Sequence, residues 1–130
     1  MSEIKEQLRA AILTPRPLPY EDVVVPEWTS EKFPKGVSVR IQGLSAGEGE
    51  ALAIEVTRID AHNQVHADRQ NFRARLVARC LVDPADGTRL LKDEEAALLS
   101  HQSGAILERL FKIAARVSGM AQNLETVKGN

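Results

Sequence analysis

SGAILERLFKIAARVSGMAQ, residues Ser103 to Gln122, decides the fold. Ile106, Leu110, Ile113 and Val117 fall three and four apart, and Leu107, Phe111 and Ala114 form the next row. Those offsets describe a helix that buries one broad face. Glu108, Arg109, Lys112 and Arg116 fill most of the opposite side. Nothing in the run alternates with period two, so no strand fits it. Ser103 begins this main helix, and Gly119 stands near its end.

Toward the N-terminus, Asp93 suits the cap of a short helix over Glu94 to Ser100, with acidic residues in its first turn. Asp83-Pro84-Ala85-Asp86-Gly87 is a stop and a turn. Asp68 to Val82 has helical period, with Phe72, Leu76 and Cys80 on one row and Val77 and Leu81 on the next. Asp60 to Ala67 is largely polar. Ser45 and Glu48 have the spacing of a capping box, which starts a helix near Ala46. Ala51 to Ile59 fits two patterns, since Leu52, Val56 and Ile59 sit at helical offsets while Leu52, Ile54 and Val56 alternate. The cap and the residues Ala51 and Ala53 favour helix.

Val37, Val39 and Ile41 alternate with Ser38, Arg40 and Gln42, the mark of a strand with one buried face. Val23-Val24-Val25 ends at Pro26 and reads as an edge strand within Tyr20 to Pro26. The two pair antiparallel across the loop Thr29 to Gly36. A lone hairpin is not stable in water, so it must lie against helices. Trp28 is the natural anchor, and its indole N–H wants a partner if buried. Residues 2–14 form a short amphipathic helix with Ile4, Leu8, Ala11 and Ile12 on one face, which either docks on the body or frays. Pro15, Pro17 and Pro19 forbid its continuation. The expected fold is mainly α with a small antiparallel β-hairpin, an α+β single compact domain. Residues 1–19 are helix and Pro-rich connector, 20–122 the globular helical part, and 123–130 a mobile tail.

The 130 residues fit one domain. Aromatics are only 4%, so Leu, Ile, Val and Ala must fill the core. A net charge of −1 gives no global field to hold nucleic acid or an anionic membrane. Cys80 is the single cysteine, which excludes an intrachain disulfide and a Cys-cluster metal site. Residues 2–14 do not read as a signal peptide, and no apolar run approaches the roughly 20 residues of a membrane helix. A cytoplasmic location is the expectation.

Candidate chemistry is sparse. His62 and His66, four apart, would share a helix face as metal-binding pairs do, with Asp60 and Asp68 near. They lack the H-E-x-x-H pattern and a third ligand. Cys80 lies on an apolar row and reads as a core residue rather than a nucleophile. Asp83 to Gly87 lacks calcium-loop spacing, and Gly47-Glu48-Gly49 lacks that of a phosphate cradle. Arg69, Arg73, Arg75 and Arg79 occupy two rows with no interleaved aromatics, which suits a solvated helix face better than a nucleic-acid face. No catalytic constellation, metal site or cofactor site is expected.

The order of signals is more telling than any one residue. Pro26-Glu27-Trp28 closes a Val-rich segment, and the strand Gly36-Val37-Ser38-Val39-Arg40 follows. Leu44-Ser45-Ala46-Gly47-Glu48 opens a helix, and the next helix ends at Leu81-Val82-Asp83. Asp86-Gly87-Thr88-Arg89-Leu90-Leu91, Lys92-Asp93-Glu94-Glu95 with Leu98-Leu99, and Gly104 to Phe111 come after, before a polar tail with Lys128 and Asn130. Over residues 20–130 this resembles the small tail assembly chaperones of long-tailed bacteriophages and their prophages; the N-terminal helix and connector stand outside the shared pattern. The resemblance implies a non-catalytic protein in the host bacterial cytoplasm. It would coat the long, apolar, helical tape measure protein in many copies, with a frameshifted longer form contacting the tail tube protein. Homo-oligomers fit that role. On this reading Leu107, Phe111 and Met120 would contact the partner from an exposed edge of the main helix. A structural virion protein such as a head–tail connector is the alternative.

Overall fold

Two strands and two helices supply most of the interior. The computed structural model describes residues 2–67 and 71–120. In chain order these are α1 (Ser2–Leu13), β1 (Tyr20–Val25), β2 (Val37–Gln42), α2 (Ala46–Glu55), β3 (Thr57–Ile59), β4 (Val65–Ala67), α3 (Phe72–Cys80), β5 (Leu81–Val82), α4 (Ala96–Leu99) and α5 (Gly104–Val117). The mobile tail expected at 123–130 lies outside the described residues, as does Arg69.

β1 and β2 form the expected antiparallel hairpin, with Val23 opposite Val39 and Val25 opposite Val37. Alternation turns Val25, Val39 and Ile41 inward, where all three are buried. Asp22 and Arg40 stand opposite each other on the outer face. The guanidinium donates to both Asp22 oxygens at 2.8 and 3.3 Å and lies 3.9 Å from the Tyr20 ring centre. The sheet has a third strand that the periodicity concealed. The helix expected through Val82 stops at Cys80, and Leu81 and Val82 instead pair with Ile41 and Arg40. Two buried apolar residues in sequence carry no period, so helix and strand read alike there.

The second departure lies after α2. Ser45 accepts from the Glu48 N–H at 3.2 Å and Glu48 accepts from the Ser45 N–H at 3.3 Å, so the capping box forms as expected. The helix then ends at Glu55, not Ile59. Thr57–Ile59 pairs antiparallel with Val65–Ala67 as a separate two-stranded ribbon. Asp60 organises its turn by accepting from the backbone N–H groups of His62 and Gln64, and Asn63 takes the left-handed φ of 62°.

α3 and α5 pack on each other and on the inner face of the sheet. Leu76, Val77, Cys80 and Leu110 lose all exposure, together with Ile41 and Val25. α2 adds Leu52 and α4 adds Leu99 to the same core. Gly43 fixes how α5 meets the sheet: a Cβ there would fall 2.1 Å from the Val117 carbonyl oxygen, so only glycine admits the helix end. Ser118 completes the junction by accepting from the Leu44 N–H at 3.1 Å.

Candidate partner-binding surface

α5 begins as the sequence indicates, with the Ser103 hydroxyl accepting from the Ala105 N–H at 3.2 Å. It ends in a Schellman motif: Gly119 has φ 78°, its N–H reaches the Arg116 carbonyl at 3.1 Å, and the Met120 N–H reaches the Ala115 carbonyl at 2.7 Å. Met120 is therefore the residue that folds back on the helix, half-buried against the core. That role was recoverable from Gly119 at the position after the cap.

The three residues expected to contact a partner divide. Phe111 is 6% exposed, meets Phe72 edge-on at 6.1 Å between ring centres, and has the Arg73 guanidinium 5.4 Å from its own centre. It is a core residue, which corrects its placement on an exposed edge. Leu107 sits between the buried Leu110 and Phe111 on the apolar face, yet it is only half-buried. The body leaves the first turns of α5 incompletely covered at that point. Leu107 and Met120 thus retain accessible surface.

Trp28 anchors the hairpin to the region preceding α5, with its indole N–H donating to Gln102 Oε1 at 3.0 Å. Glu27 receives both terminal nitrogens of Arg109, and Glu21 pairs with Arg116, so β1 and its exit are clipped to the polar side of α5. Arg109 holds the Glu27 carboxyl below its usual range. These pairs are exposed and orient more than they stabilise.

Several charged residues elsewhere are paired. Arg73 meets Glu108 at 2.7 Å, Arg79 meets Glu55 at 2.8 Å, and Arg89 meets Asp93 at 2.8 Å. In an open depression lined by Glu55, Asn71, Arg75, Asp93, Glu94, Ala96 and Ala97, Arg75 meets Glu55 at 3.9 Å and Arg79 meets Asp93 at 3.6 Å. Arg89 keeps the Asp93 carboxyl below its usual range. His62 lies in the β3–β4 turn and His66 on β4, so the helical metal pair does not exist. Among the described residues no group of three or more His, Cys, Asp or Glu is placed to hold a metal. No helix among them is long and apolar enough to cross a membrane. Cys80 is buried, and burial pushes its thiol up to about 11, partly offset by the Ser118 hydroxyl at 3.7 Å.

Sequence reasoning missed most of the exposed apolar surface. All of α1 is exposed, including Ile4, Leu8 and Ile12, so this helix neither docks on the body nor unwinds. Val24, Phe33, Ile54, Val65 and Leu98 are each at least half exposed. Alternation and helical period report which side chains share a face, not whether anything covers that face.

No protein-family model matches the chain, and no curated protein does. Among solved structures, the tail assembly chaperone of bacteriophage HK97 is similar with a TM-score of 0.55 and 22% identity, covering 92% of this chain and 95% of that one. The shared extent exceeds residues 20–130 and so reaches into the N-terminal arm, which the sequence pattern had left outside. The chain has the fold of that bacteriophage tail assembly chaperone.

Proposed function

We propose that the protein is a phage tail assembly chaperone that binds and solubilises a tape measure protein during tail morphogenesis, without catalysis. The observation that carries this reading is the fold likeness over 92% of this chain and 95% of that one. A long helical partner with exposed apolar stripes needs a binder with apolar surface of its own and many weak contacts. Leu107 on α5 and Met120 just after it, both partly accessible, are the proposed contacts. The same reading puts the protein in the host bacterial cytoplasm and allows a frameshifted form that reaches the tail tube protein.

Co-expression with a candidate tape measure protein tests the proposal. The partner's soluble fraction should rise several-fold, and Leu107→Glu should remove most of the gain. No gain with the unaltered chain overturns the reading. Recovery of this chain from purified virions would favour a structural virion or head–tail connector role instead.

A further inference from the structure

The outer side of β1 is open. The strands lie in the order β1-β2-β5, which leaves β1 at the sheet edge. The Gly43 N–H donates to the Pro19 carbonyl at 2.7 Å, so these two form a hydrogen-bonded pair just before Tyr20 and Gln42. Alternation along an antiparallel ladder then turns the backbone groups of Glu21, Val23 and Val25 toward β2 and those of Tyr20, Asp22 and Val24 away from it. Nothing else among the described residues bonds to those outward N–H and C=O groups. Open edges are usually blunted by lysine, proline, a bulge or extreme shortness. β1 has six residues in unbroken register with β2, and no Lys or Pro inside. Its carboxylates do not guard it, because Asp22 is drawn onto Arg40 and Glu21 onto Arg116. Tyr20 and Val24 flank the edge on the outer face at 53% and 60% exposure.

α5 supplies the second border. It contacts β1 and β2, whereas α3 contacts β2 and β5, so α5 is the helix nearer the open edge. Arg109 reaches Glu27, beyond the end of β1, and Arg116 reaches Glu21, near its start, so helix and strand run antiparallel side by side. Lys112 stands between the two arginines, about 60° around the helix from Arg109 and about 40° from Arg116. It is exposed and, among the described residues, has no carboxylate partner. We propose that the β1 edge takes up an extended segment of another polypeptide as an added strand, one whose residues alternate acidic and apolar. Pairing with the backbone of Tyr20, Asp22 and Val24 holds the segment. Successive residues of an added strand face opposite sides. Those on the α5 side meet Lys112, with Arg109 and Arg116 beside it, and acidic side chains complement them. Those on the outer side lie against Val24 and the Tyr20 ring, which suit apolar side chains. A basic segment would set like charges together at Lys112 and is selected against. The inference goes beyond the chaperone reading, which concerns a helical partner at Leu107 and Met120, and neither site requires the other.

NMR of the labelled full chain with an end-blocked peptide of alternating valine and glutamate tests it. The amides of Tyr20, Asp22 and Val24 should shift saturably and gain protection from hydrogen exchange. A peptide with lysine in place of glutamate should bind at least about tenfold more weakly, and Lys112→Glu should reverse that order. Val24→Pro removes one outward N–H without touching the β1–β2 ladder and should abolish binding. Circular dichroism verifies the fold of both variants, and Lys112→Glu, at an exposed position, carries the test alone if Val24→Pro does not fold. No saturable shift at those three amides, equal binding of the two peptides, or a Lys112→Glu chain with unchanged preference overturns the proposal. So does full protection of the same amides in the free chain, as there would be if a second copy or the chain's own residues already filled the edge.

Discussion

Leu107 and Phe111 are four residues apart on one helix, and the body treats them differently. Phe111 has aromatic and cationic neighbours on its ring, whereas Leu107 keeps part of its surface open. Phe111→Ala should cost about 3–5 kcal/mol in urea unfolding, the cost of a large cavity. Leu107→Glu should change stability by no more than about 1 kcal/mol, since its side chain can reach water. The sequence periodicity placed both on the apolar face of α5 and could go no further, because coverage depends on elements distant in the chain. Cys80 was legible as a core residue for the opposite reason: it lies among Leu76, Val77 and Leu81, and burial outweighs the pull of Arg89 on its thiolate. The folded thiol holds its proton until about pH 11, while an unfolded one releases it near 9.0. The unfolded state is therefore stabilised by ionisation as pH rises. Stability should be intact below pH 9 and fall by roughly 2–3 kcal/mol on approach to pH 11. Urea midpoints across that range check the prediction, and Cys80→Ala should flatten the thiol's contribution.

At the scale of elements, the caps carried the most reliable information. Ser45 with Glu48 and Ser103 marked two helix starts correctly, because each supplies an acceptor to backbone N–H groups with no other partner. Gly119 closes α5 in a left-handed conformation with nothing within 4 Å of a would-be Cβ. Gly119→Ala should therefore cost about 1–2 kcal/mol from backbone conformation alone, measurable by thermal or urea unfolding. The elements that sequence reasoning lost were the short strands. β5 is two residues long and β3 three, and neither is long enough to display a period. Both exist because a neighbouring strand offers hydrogen bonds, which is tertiary information. The α2–β3 boundary was lost where Leu52, Ile54 and Val56 fit both patterns at once. The candidate surface was legible only in part: α5 was recognised, while Ile54 on α2 and the exposed stripe of α1 emerged from the structure.

At the scale of the whole molecule, ion pairs join the layers while apolar surface remains uncovered. Arg109 with Glu27 and Arg116 with Glu21 tie the first strand to α5, and Arg79 with Glu55 ties α3 to α2. Such exposed pairs orient elements at little net energy, so the buried face of α5 against α3 and the sheet carries the stability. Apolar residues left open on α1, α2, α4 and the start of α5 then suit binding to other polypeptides. The most direct test of that claim is an NMR titration of the labelled chain with an apolar helical fragment of the tape measure protein. The account predicts shifts at Leu107 and Met120 and their neighbours along α5, saturating with the fragment and absent with a scrambled one. No saturable shift anywhere, or shifts confined to the depression around Glu55, Arg75 and Asp93, would contradict it.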